Sequence, residues 1–136
     1  MARIVLTDAS ITVNSVDLSD HIASVTITSS YDAVETTAFS GDGARTRVAG
    51  LVDNSIALEF HQDYAASEVE ATIYPLLGTT TTVVVKPTSG AVGAENPSYT
   101  MSALVSEWTP VAGTVGELAT ASITWPVSGA VTKATS

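Results

Sequence analysis

A period of two runs through most of this chain. In "SIALEFHQ", Ile56, Leu58 and Phe60 fall on one side and Ala57, Glu59 and His61 on the other. That is the alternation of a half-buried strand. "SVTITS" sets Val25 and Ile27 against Ser and Thr, and "TTTTVVVKP" is β-branched until Pro87 ends it. "YTMSALVSEW" groups Met101, Ala103 and Val105, with Leu104 and Trp108 opposite. "ELATASITWPV" groups Ala119, Ala121, Ile123 and Trp125 against Leu118, Thr120, Ser122 and Thr124. In "ITVNSVDL" the apolar positions Ile11, Val13, Val16 and Leu18 flank the polar pair Asn14-Ser15, which predicts a hairpin.

One segment departs from this period. In "DYAASEVEATIYPLLG", Ala66, Val69, Ile73 and Leu76 or Leu77 recur at helical spacing. Ser67 with Glu70 fits a capping box, and Asp63 is an alternative cap. Pro75 should kink or end the helix, and Gly78 supplies a left-handed stop. The expected fold class is mainly β, a sandwich or half-barrel with one flanking helix. Three stretches look irregular: 31 to 50, 89 to 96, and the tail from 127. The first is long enough to suggest a working loop, since structureless loops above about 12 to 15 residues are uncommon in compact domains. No repeat or linker divides the chain, so a single domain is expected over residues 1–136.

Only 14% of the residues are charged, against about a quarter in ordinary domains, while 45% are hydrophobic. A surface so poor in charge suits burial against copies of itself. The net charge of −9 works against binding to nucleic acid or anionic lipid. There is no cysteine, hence no disulfide or thiolate chemistry. The start, "MARIVLTDAS", does not read as a signal peptide, and no stretch approaches the roughly 20 apolar residues of a membrane helix. The expectation is a chain made in a cytoplasm, with no membrane anchor.

The long loop carries "GDGARTR", with two of the chain's five basic residues. A phosphate loop needs Lys followed by Ser or Thr after the last Gly, and a calcium loop needs several alternating carboxylates; neither is present. The glycines instead suit a tight turn in which Asp42 bonds nearby backbone. Arg45 and Arg47 lie on one side of an extended segment. In so acidic a protein they are placed to meet carboxylates of a second copy. Ser40, Gly41, Asp42, Gly43, Arg45 and Arg47 are therefore the candidate subunit or ring contact. The arm is expected to be disordered before assembly, having few apolar residues to pack.

His61 and Asp63, with His21 and Asp20, suggest a metal or catalytic site, but a surface histidine beside a helix cap explains them as well. No nucleophile elbow is present, and Glu59, Glu68, Glu70 and Glu107 show no spacing that singles out a glycosidase pair. Catalytic residues, metal and cofactor are all expected to be absent. The tail "VSGAVTKATS" reads as frayed or as a strap on a neighbour.

Taken together, "VDLSDHIASVTI", "GDGARTRVAGLVDNSIALEFHQDYAASEVEATIYPLLGT" and "NPSYTMSALVSEWTPVAGTVGELATASITWPVSGAV" resemble the major tail tube proteins of long, non-contractile-tailed bacteriophages. These stretches cover almost the whole chain, in family order. The resemblance implies a tail tube fold and a homo-oligomer of hexameric rings stacked into a hollow virion tail. A long loop and the termini would reach the adjacent ring. It also implies assembly on a tape measure protein between tail-tip and tail terminator proteins, and passage of double-stranded DNA without specific binding. Strand-embedded acids such as Glu59 and Glu107 are then candidates for the channel wall. The alternatives are a head–tail connector stopper, a capsid decoration protein, a carbohydrate-binding adhesin module, or a hydrolase of unknown type.

Overall fold

Asn14 and Ser15 do turn the chain. Both adopt positive φ, 52° and 67°, as a two-residue hairpin turn between right-twisted strands requires. In the computed structural model, which describes residues 3–39 and 41–136, this turn joins β1 (Ser10–Val13) to β2 (Val16–Asp17). A single 3-10 turn, Ser19–His21, leads into β3 (Ile22–Glu35). The chain then forms β4 (Arg47–His61), α1 (Val69–Ile73), β5 (Thr80–Lys86), β6 (Ser98–Leu104), β7 (Thr120–Val127) and β8 (Thr132–Ala134).

All pairings between these strands are antiparallel, in the order β2-β1-β5-β6-β7-β4-β3, with β8 on β6. The sheet has two halves. In one, β4 pairs with β3 and with β7 over long ladders. In the other, β5 pairs with β1 and β6. Between β6 and β7 the only residue pair in register is Ala103 with Val127. The inward residues of both halves share one core: Ile56, Leu58, Phe60, Ile123 and Trp125 with Ile11, Val13, Val83, Met101 and Ala103. This is the sandwich or half-barrel that the alternation predicts. Among the described residues no helix is long and apolar enough to cross a membrane.

The helix is shorter than its pattern. It keeps Val69 and Ile73 buried, but Ala66 and Leu77 are exposed. Neither proposed cap acts as one. Ser67 has φ 64°, and Glu68, the residue before the first turn, makes no side-chain cap bond. The Asp63 carboxylate accepts from the Ala65 N–H at 2.9 Å, upstream of the helix. Pro75 sits in a 3-10 turn, Tyr74–Leu76, and Gly78 at φ 86° ends the segment as expected.

Trp108 is buried, not opposite Met101 and Ala103. β6 stops at Leu104, so strand parity no longer governs the residues after it. Its indole N–H donates to Glu70 Oε2 at 2.7 Å, and its ring meets Phe60 edge-on at 5.5 Å. In the tail, the Ser128 N–H donates to Ser102 O at 2.7 Å, and residues 132–134 pair with β6 of the same chain as β8.

Ser19 locks the first hairpin to the sheet. Its hydroxyl oxygen accepts from the Ile11 N–H at 2.8 Å, while Asp17 Oδ1 accepts from both the Ser19 hydroxyl and its N–H. The hydroxyl bond first, then the backbone bond, hold the Asp17 carboxyl below its ordinary 3.8. A carboxyl with a lowered folded pKa adds stability above its unfolded pKa and loses it as pH falls through the folded value. Asp17→Asn should therefore lower the melting temperature at neutral pH. The gap from the parent should close once the pH is well below 3.8. Thermal melts at both pH values check this, and a gap that does not change with pH would contradict it.

Candidate functional site

The stretch 31 to 50, read as irregular, is an extended arm whose two ends, residues 31–35 and 47–50, belong to β3 and β4. β3 and β4 stay in register from Ser24 with Glu59 to Tyr31 with Val52. The next opposed pair is Ala33 with Ala49, so Gly50 and Leu51 together face Asp32. This is a β-bulge, which bends and twists a ribbon. Gly50 suits the spot: a Cβ there would lie 2.8 Å from Val34 Cγ2. Beyond the bulge, Val34 still opposes Val48, and Glu35 opposes Arg47.

Asn54 is the last buried residue of β4 toward the arm. Past it the ribbon leaves the body, and Tyr31, Val34, Phe39, Val48, Leu51 and Val52 are all exposed large apolar side chains. Sequence reasoning passed over these six. The signal was present in "YDAVE" and "RVAGLVD", but the extra residue at the bulge breaks the alternation that would have marked two strands.

At the tip, Gly41 and Gly43 have φ of 89° and 71°, and Asp42 Oδ1 accepts from the Ala44 N–H at 3.1 Å. These are the features of the expected tight turn. Ser40 lies outside the described residues. Arg45, expected to seek a carboxylate on another copy, has Nη1 3.2 Å from Glu35 Oε1 of its own ribbon. Both side chains are largely exposed, and such a pair is worth about 0–1 kcal/mol, too little to hold the arm by itself. Among the described residues Arg47 forms no ion pair.

β3 ends the strand order, so its outer edge has no partner strand among the described residues. It is 14 residues long and carries only Asp32 and Glu35 as charges. A long edge this short of charge is a template for another strand.

Glu59 and Glu107 come together, although only Glu59 is in a strand. Glu107 lies on the crossover from β6 to β7, where its Oε1 accepts from the Thr124 N–H at 2.9 Å. Both acids line one open depression of about 250 Å³ with Ser24, Ala57, Ser122 and Thr124. The outer face of β3, β4 and β7 is thus a field of hydroxyls and small side chains around two carboxylates.

The residues that suggested a metal separate into two places. His61 stays on β4 opposite Thr120. His21 meets Asp20, Asp63 and Glu68, bringing the 3-10 turn against the segment before α1. The hydrogen bond to Asp20 raises the His21 pKa most, partial burial opposes it, and Asp63 adds to the rise. Asp63 is held low first by the Ala65 N–H, against some burial, and then by His21.

No protein-family model and no curated protein sequence matches the chain. Solved structures do. A chain of the virion of a native gene transfer agent particle superposes with a TM-score of 0.74 at 15% identity, over 93% of this chain and 95% of that one. A chain of the tail of an empty gene transfer agent particle, refined with C6 symmetry, gives 0.65 at 16% identity, over 82% and 81%. A chain of the PVC sheath–tube complex, an extracellular contractile injection system in its extended state, gives 0.71 at 18% identity, over 98% and 93%. The chain therefore shares its fold with chains of phage-like tail particles.

Proposed function

We propose that this chain is a structural subunit of a virion tail tube that performs no chemistry. Six copies form a ring, and rings stack into a hollow conduit through which double-stranded DNA passes. One observation carries the reading: the 14-residue edge of β3, which has no partner strand among the described residues, continues into an arm with six exposed large apolar side chains. Strand addition along that edge joins neighbours side by side, and the arm reaches the next subunit or ring. The fold shared with a C6-symmetric tail supports six-fold closure.

The sequence resemblance favours a long non-contractile phage tail, with a tape measure protein and terminal proteins as the further partners. The hydroxyl-rich face around Glu59 and Glu107 suits a channel wall, because carboxylates form no counterion-releasing contacts with phosphate. Electron microscopy of the concentrated purified protein tests the proposal. Stacked six-fold rings or hollow filaments are expected. A chain that stays monomeric at every concentration and salt overturns it.

A further inference from the structure

His21 lies between carboxylates from two separate parts of the chain. Nε2 is 2.9 Å from Asp63 Oδ2, while Nδ1 is 2.8 Å from Asp20 Oδ1 and 3.6 Å from Glu68 Oε2. Every one of these partners is an oxygen that, when ionised, only accepts. A neutral imidazole has one N–H, so it satisfies one nitrogen and points the lone pair of the other at negative charge. The second nitrogen must share its place with a cation. Among the described residues no Lys or Arg forms an ion pair with Asp20, Asp63 or Glu68. A bound proton is one occupant, and a metal ion is the other.

The arrangement has both parts of a metal site. A ligating histidine commonly donates its other N–H to a carboxylate, which fixes the ring and its tautomer. Asp20 stands at that position on Nδ1, 2.8 Å away. Ligand atoms of His21, Asp63 and Glu68 all fall within 4.8 Å of one another, and Asp20 is outside that group. Two ligands each about 2.1 Å from one ion lie about 3 to 3.5 Å apart, close to the 2.9 Å between His21 Nε2 and Asp63 Oδ2. Asp63 is itself held by the Ala65 N–H at 2.9 Å. One imidazole with carboxylates suits zinc or manganese better than magnesium or calcium, which favour all-oxygen sets.

We propose that His21, Asp63 and Glu68 bind one divalent transition-metal ion, and that Asp20 orients the ring from Nδ1. The ion would tie the turn that launches β3 to the segment before α1. Binding to the folded state alone raises apparent stability by mass action.

The test uses the full chain, stripped with a chelator and titrated with zinc chloride at neutral pH by calorimetry and by thermal melting. The expected result is one zinc per chain and a higher melting temperature. His21→Gln should remove the binding, while Glu68→Gln and Asp63→Asn should each weaken it about 10-fold or more. Asp20→Asn changes an exposed side chain, so it reports on the site even if another variant fails to fold. His61→Gln, altering the other histidine, should leave binding unchanged. No zinc binding by the parent, or equal binding after His21→Gln, overturns the proposal, as does loss of binding with His61→Gln.

Discussion

Replacing residues 32–51 with an Asn-Gly turn should leave a monomer that folds normally and a tube that never forms. Tyr31 opposes Val52, so two residues close the shortened hairpin in register. No residue from 32 to 51 for which burial is described is buried, and the Glu35–Arg45 pair removed is an exposed one. The core therefore loses nothing. The expected melting temperature matches the parent, while electron microscopy and sedimentation show no rings or filaments. Filaments of normal length would mean that the arm does not hold the assembly. A collapsed melting temperature would mean that the arm supports the monomer, against the burial pattern.

Trp125→Ala should have the opposite signature. Trp125 is 0% exposed, lies 6.4 Å from the Phe60 ring, and donates its indole N–H to Glu107 O at 2.8 Å. Truncating a buried Trp typically costs about 3–5 kcal/mol, a large part of the about 5–15 kcal/mol that holds a domain together. The change also strips the Glu107 carbonyl of its donor, which loosens the crossover that carries the Glu107 side chain beside Glu59. The expected outcome is a urea midpoint far below the parent's, or a chain already unfolded at 37 °C, roughly the limit for a marginal domain after so large a loss. A loss under about 1 kcal/mol would show that the two halves are not packed through this ring.

Much of the fold was legible in single residues, and the failures have physical causes. Ile56, Leu58 and Phe60 declared the inward face of β4 because an antiparallel sheet covered on one side preserves alternation. Asn14-Ser15 declared its hairpin because apolar alternation runs on both sides of this one polar pair. Trp108 misled because parity was extended past Leu104, where the strand had ended. The helix was overestimated because Ser67 and Asp63, good caps by composition, bond or turn elsewhere.

The arm was recognised as extended, but its pairing was hidden by one extra residue at Gly50-Leu51 and by the absence of a buried face. Glu59 and Glu107 were named as a pair on strand position, yet only Glu59 is in a strand; a backbone N–H on β7 brings Glu107 beside it. The joining of His21 to Asp63 and Glu68 depends on contacts more than forty residues apart in sequence, which no local pattern reports.

The narrow join between β6 and β7 has a mechanical consequence. A sheet laced along its full width resists shear in its plane. One that meets at the Ala103–Val127 pair and the neighbouring Ser128–Ser102 hydrogen bond leaves that resistance to the core the two halves share. In a long filament of such units, bending stress would fall on packed side chains before it reached either ladder.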